Sequence, residues 1–192
     1  MLRLEEIKQA AAILEGIAFE TPLVYSNYLS RCFDARVYLK LENLQRTGSF
    51  KFRGAYHKLT RIRDTLGPKG VVAASAGNHA QGVAHAAHLM SVPSSIVMPE
   101  WASISKQLAT QSYGGQVILA GKSLTESLDQ ARTLEAEGQT FIHPYDDEDI
   151  MAGQGTIGLE IVSQLPEVEA ILIPVGGGGL IAGIATAVKS LR

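Results

Sequence analysis

Three short apolar runs constrain this chain most: VVAAS (71–75), SIVMP (95–99) and QVILA (116–120). Each precedes a stretch that reads as a helix. Short, wholly apolar strands belong in a sheet covered on both faces, and intervening helices supply the crossovers that parallel pairing needs. The pattern predicts the α/β class, with parallel sheets covered by helices. VYLKLE (37–42) alternates like a further strand, FIHP (141–144) reads as a short one, and AILIPV (170–175) as a buried one. Helices are expected over 4–16, from an N-cap at Ser49 to about Arg63, and from AGNHAQG to about Met90. Others are expected around 103–112, over 124–137 behind a Ser123/Glu126 capping box, over about 150–164, and from the glycines of 176–179 to the terminus.

Composition narrows the partners. The chain has 192 residues, 46% hydrophobic and 19% charged, with a formal charge of −2. That is ordinary globular usage, and without a long basic run nucleic acid is not expected. Cys32 is the sole cysteine, so no internal disulfide forms and a reducing, cytoplasmic home is the simplest reading. The N-terminus carries four glutamates and does not read as a signal peptide. Residues 170–188 lack charge, but Pro174 and four glycines divide them into halves too short for the ~20 residues of a membrane span.

The sharpest motif is Val175-Gly176-Gly177-Gly178-Gly179-Leu180, between a strand and a helix. Residues without side chains let backbone N–H groups approach a ligand, and a helix start adds partial positive charge; the combination suits a phosphate. A tight turn needs only one glycine. The Walker pattern fails because no Lys-Ser or Lys-Thr follows. Gly177, Gly179 and Ala182 match a dinucleotide fingerprint loosely, but the acidic residue expected ~20 positions later has no place before Arg192. Lys51 is the second motif. In the first turn of a helix, between Phe50 and Phe52, it meets an unfavourable dipole and apolar neighbours, and both push a lysine toward the neutral, nucleophilic amine. The bland reading, a surface lysine beside Arg53 and Lys58, stays open on these residues alone. Pyridoxal phosphate would use both features.

Together these stretches resemble the fold-type II pyridoxal-phosphate enzymes, in particular the threonine ammonia-lyase (threonine dehydratase) and serine racemase group. The likeness runs through TPL (21–23), LKLENLQRTGSFKFRGA (39–55), GVVAASAGNHAQGVA (70–84), IVMPE (96–100), the Tyr113-Gly114-Gly115 step, AGQGTIGLEI (152–161) and PVGGGGLIAGIA (174–185). It implies that Lys51 holds the cofactor and that Phe50 packs beside its ring. It also implies that Asn78 hydrogen-bonds the ring oxygen, and that Gly176, Gly177, Gly178, Gly179 and the Leu180 amide cradle the phosphate. The same resemblance implies that the loop Ser75, Ala76, Gly77, Asn78 and His79 grips the substrate carboxylate. The implied reaction is β-elimination, converting L-threonine to 2-oxobutanoate, or L-serine to pyruvate, with ammonia. Ala76 stands where serine racemases carry a proton-donating serine, so the chain looks more like the elimination enzymes; racemase-like activity is the further alternative. The implied pathway is isoleucine biosynthesis or threonine catabolism.

The same resemblance implies a division into 1–49, the N-terminal part of a large domain; 50–150, a small substrate-gripping domain; and 151–192, the return into the large domain. Family members continue well past the glycine loop, so the large domain reads as incomplete. The alternative function is therefore a non-catalytic remnant, or a fragment needing a partner chain; a homo-oligomer is the other arrangement expected. His79, His85 and His88 lack a third ligand at fitting spacing, and no metal is expected. DDED (146–149) reads as a solvated turn favouring the next helix start, and Trp101 as a packing residue. Arg46 and Tyr113 are weak candidates for the border of a regulatory nucleotide site.

Overall fold

Val71–Ala74 (β3) and Ser94–Met98 (β4) are buried at every position, so both faces of these strands are covered. The computed structural model describes residues 1–192. In chain order the remaining elements are α1 (Leu4–Leu14), β1 (Leu23–Tyr25), α2 (Asn27–Phe33), β2 (Tyr38–Lys40), α3 (Lys51–Ile62), α4 (Asn78–Leu89), α5 (Ile104–Ser112), β5 (Gln116–Leu119), α6 (Leu124–Ala136), β6 (Thr140–Phe141), α7 (Glu148–Gln164) and α8 (Gly179–Leu191). The main sheet has the order β5-β4-β3-β6, all parallel, with Val71 opposite Ser94 and Thr140, and Ser95 opposite Gln116. Alternation sorts its side chains. Val71 and Ala73 join Phe52, Leu59, Val83 and Ile96 under α3 and α4, whereas Val72, Ala74 and Val97 meet Ala131 of α6 on the other face.

A second group of helices packs beside this sheet. α7 contacts α1, α3 and α8. Close approach explains one glycine on α7 and one on α8. A Cβ on Gly153 would lie 2.6 Å from the Gly54 Cα of α3, and one on Gly183 would lie 2.6 Å from the Gly155 amide nitrogen. Each helical glycine costs roughly 1 kcal/mol against alanine, and the backbone contact between helices offsets it.

Several expectations need correction. Ser49 is not the cap of α3: Phe50 occupies that position without a side-chain cap bond, and the Ser49 hydroxyl is buried without a partner. The 37–42 strand is only Tyr38–Lys40 and pairs antiparallel with β1, so one corner of the fold departs from parallel pairing. Residues 170–175 are not a strand. No neighbouring strand supplies a ladder, and Leu172 is 93% and Val175 64% exposed. Only alternate residues are covered: Ile171 and Ile173 lie against Ile157, Ile161 and Ile184. The acidic turn is more than solvated. Asp147 caps α7 by accepting from Asp149 and Ile150 amides at 2.9 and 3.1 Å, and Lys58 bridges Asp147 and Asp149. Ser123 caps α6 as expected, but Glu126 reaches back to the Lys122 amide, one residue before the cap.

Candidate active site

The Lys51 amine is the starting point. It lies on the first residue of α3, is half-buried, and donates to the Pro144 carbonyl at 2.6 Å. Burial pushes its pKa below the ordinary lysine value. The Phe50 ring is 5.4 Å from Nζ and packs into the Ile157/Ile161/Ile184 cluster. Phe52 points instead into the main core, beside Tyr56 and His85, so the two phenylalanines do not flank the amine as a matched pair.

Two residues further along α3, Arg53 fixes the helix. It is 1% exposed. Its guanidinium donates to Glu42 at 2.9 and 2.7 Å, to Glu160 at 2.5 and 3.0 Å, to Thr156 Oγ1 at 3.2 Å and to the Phe19 carbonyl at 3.1 Å. Lys40 balances the second carboxylate through Glu160 at 2.5 Å. Bidentate, buried pairing of this kind sets direction as well as energy, and here it fixes the turn of helix that carries Lys51.

α4 presents the asparagine loop. Its cap is Gly77, whose amide donates to Ser75 Oγ at 3.2 Å. The amides of Ala76, Asn78, His79 and Ala80 have no backbone acceptor, as the start of a helix requires. Asn78 is exposed and His79 buried. His79 Nε2 lies 3.0 Å from the Ile142 carbonyl, so its ring donates there. Desolvation lowers its pKa to about 3, so the ring is neutral and does not bear charge in the site.

The glycine loop has two kinds of glycine. Gly176 and Gly178 face open space, and Gly178 caps α8 at φ +89°, a left-handed conformation that glycine tolerates. Gly177 and Gly179 are close contacts instead: a Cβ on either would collide with Tyr145. Part of the run is thus explained by packing, contrary to the sequence argument. The amides of Gly176 through Ile181 donate to no backbone acceptor, which leaves six successive donors for an anion. The residues therefore fit a phosphorylated cofactor.

Three stretches distant in sequence meet on one segment, Ile142–Tyr145. Ile142 receives His79, Pro144 receives Lys51, and Tyr145 packs on Gly177 and Gly179. Sequence reasoning missed this shelf because His-Pro-Tyr carries no periodicity; its only signal is the proline that follows the strand. His85 is held between Phe52 and Tyr113, with ring centroids 5.3 and 5.1 Å away. Arg46 donates to the Ile17 carbonyl and stacks on Phe19, so its side chain is engaged within the fold.

A parallel sheet feeding helix N-termini, a half-buried lysine and a free-amide glycine loop together define an α/β fold suited to a phosphorylated cofactor. The sequence profile described as "Pyridoxal-phosphate dependent enzyme" matches residues 14–192, and the chain belongs to that family. It is 50% identical over 193 residues to an L-threonine ammonia-lyase of Thermotoga maritima, covering 100% of this chain and 48% of that protein. It is 53% identical over 194 residues to the catabolic L-threonine dehydratase TdcB of Staphylococcus aureus, covering 100% and 56%. Among solved structures, maize serine racemase superposes with a TM-score of 0.96 at 34% identity, covering 100% of this chain and 58% of that one. A threonine deaminase of Solanum lycopersicum superposes at 0.90 and 43%, covering 97% and 53%. The chain spans about half the length of the curated relatives it matches.

Proposed function

We propose that this chain carries the amine and phosphate-binding parts of a pyridoxal-phosphate-dependent threonine ammonia-lyase. The reaction is β-elimination of L-threonine, and of L-serine, to the 2-oxo acid and ammonia. One observation carries the reading: the half-buried Lys51 amine rests on Pro144, and the next residue, Tyr145, contacts the glycine loop. The cofactor, when bound, supplies the electron sink for the α-carbanion. The rest belongs to the chain. Free amides of Gly176 to Ile181 hold the phosphate, with Leu180 among them. Phe50 packs near the ring and Asn78 hydrogen-bonds it. The amides around Ala76 and Asn78 to Ala80 orient the substrate carboxylate, with Ser75 Oγ fixing Gly77 in that loop. Neutral Lys51 takes the α-proton at Nζ, a task for which lowering its pKa by burial prepares it. In this reading residues 50–150 form the small domain that grips substrate, between 1–49 and 151–192.

Elimination is favoured over racemisation because Ala76 has no proton to give to the opposite face. The identities of the lyase relatives, 50% and 53%, exceed the 34% of the racemase structure. The catabolic relative favours threonine degradation over isoleucine biosynthesis. A cytoplasmic setting fits a chain with one free cysteine and no helix long and apolar enough to cross a membrane. A second reading is that the chain works with a complementing chain; the bare Leu172 and Val175 favour it. The test is threonine-dependent formation of 2-oxobutanoate by the purified protein with added pyridoxal phosphate. Activity lost in Lys51→Ala supports the proposal. No activity in the intact chain, restored by a separately expressed second half of a relative, favours the complementing-chain reading.

A further inference from the structure

His143 makes an unusual pair of bonds. Its Nδ1 accepts from the Asp146 amide at 2.7 Å and the Tyr145 amide at 3.3 Å. A ring nitrogen that accepts carries no proton, so the neutral tautomer has its hydrogen on Nε2. The two amides belong to the residues directly after Pro144, whose carbonyl holds Lys51. The ring also stacks edge-on with Phe141 and Tyr145, at 6.1 and 4.7 Å between centroids. Arg132 of α6 lies over the Phe141 ring at 4.0 Å, closing the other side. The imidazole is therefore the hinge pin of the shelf rather than a bystander on it.

We propose that His143 is a positioning residue for Lys51: its neutral imidazole, by accepting both amides, fixes the Pro144 carbonyl on which the amine rests, and its protonation releases that carbonyl. The proposal rests on the reading of Lys51 as the cofactor-binding amine. The chemistry is simple. A proton on Nδ1 turns an acceptor into a donor facing two donors, so neither bond survives. Lys51 then loses its acceptor and turns toward water, where an amine regains its ordinary basicity. The groups facing the ring are Asp146 and Asp147 of the turn, Arg132 of α6, Lys51 of α3 and, through the shelf, His79 of α4. Burial lowers the His143 pKa; the two carboxylates oppose this, and Arg132 and Lys51 reinforce it. The neutral form is thus the resting form, and the release lies on the acid side of the ordinary histidine value.

The test compares the wild-type chain, His143→Asn and His143→Ala without cofactor. Asparagine offers an Oδ1 acceptor for the same two amides but does not titrate. The readout is the apparent pKa of Lys51, from the pH dependence of trace acetylation located by mass spectrometry. His143→Ala is expected to raise it by about one unit, a tenfold loss of neutral amine, while His143→Asn keeps it at the wild-type value. In amide NMR spectra the Tyr145 and Asp146 signals should show, in the wild type, a histidine titration step beyond the carboxylate step of Asp146 and Asp147, and in His143→Asn the carboxylate step alone. An unchanged Lys51 pKa in His143→Ala, or equal shifts in both variants, overturns the proposal. Circular dichroism checks folding, and His143→Gln, whose longer arm misplaces the acceptor, replaces an unfolded alanine variant. Adding pyridoxal phosphate and borohydride to the same proteins separates the two readings. No adduct in any of them defeats the cofactor reading, while the amine pKa still decides the role of His143.

Discussion

Val71–Ala74 and Ala170–Val175 are both short apolar runs that lead toward a helix start, yet only the first is a strand. β3 has β4 on one side and β6 on the other, and every residue is buried. The 170–175 segment has no strand beside it, and Leu172 is almost wholly exposed. A strand is a property of a pair, because its amides and carbonyls need a ladder. Apolar composition sets which runs are able to be strands; a partner decides which become one. The half-covered alternation of Ile171 and Ile173 shows the segment using the one apolar face available to it.

Substitutions can break this contrast. The largest effect is expected outside the sheet, at the junction of its two sides. Arg53→Ala leaves Glu42 and Glu160 without their main cation, and breaking a buried pair costs about 3–5 kcal/mol; denaturant unfolding measures it. Ile96→Ala empties a site with 0% exposure in β4, and should cost about 2–5 kcal/mol in the same assay. Next comes acid. His79 is neutral in the fold with a pKa lowered to about 3 by burial. The unfolded chain binds a proton below the ordinary value of about 6.5 while the folded one does not. Its contribution is therefore complete above that value and lost progressively as pH falls toward about 3. Urea midpoints between these limits should fall more steeply in the wild type than in His79→Gln. The smallest effect is Leu172→Ala, within about 0.5 kcal/mol, since the side chain is already in water. A large loss there would mean that 170–175 is covered in solution and that the comparison with β3 fails.

The same contrast explains what the sequence disclosed. The runs at 71–75 and 95–99 were legible because buried parallel strands announce themselves by composition, and 116–120 was legible as an apolar neighbour, although β5 lies at the sheet edge and is only partly covered. Lys51 and the four glycines stood out as local motifs, each readable within a few residues, whereas a role for the Ser75–His79 loop came only with the family resemblance. The shelf under Lys51 was not, since Pro144 lies 93 positions away and takes part through a backbone carbonyl that any residue possesses. Nor was the Arg53 network, whose carboxylates come from 11 and 107 positions away. α2 escaped because seven residues hold too few turns for a period to show; its Ser26 cap and the left-handed Asp34 at φ 48° mark it only in hindsight. Gly177 and Gly179 were read as space for a ligand, and half of that space is taken by Tyr145.

The account turns on whether the amine of residue 51 condenses with an aldehyde whose phosphate the glycine loop holds. The direct measurement is borohydride reduction after incubation with pyridoxal phosphate, followed by peptide mapping. The prediction is one dominant adduct, at Lys51, lost in Lys51→Ala and weakened when Gly178 is replaced by a residue that resists its left-handed backbone. An adduct spread over surface lysines such as Lys8, Lys69 and Lys122, with none favoured at Lys51, would contradict it.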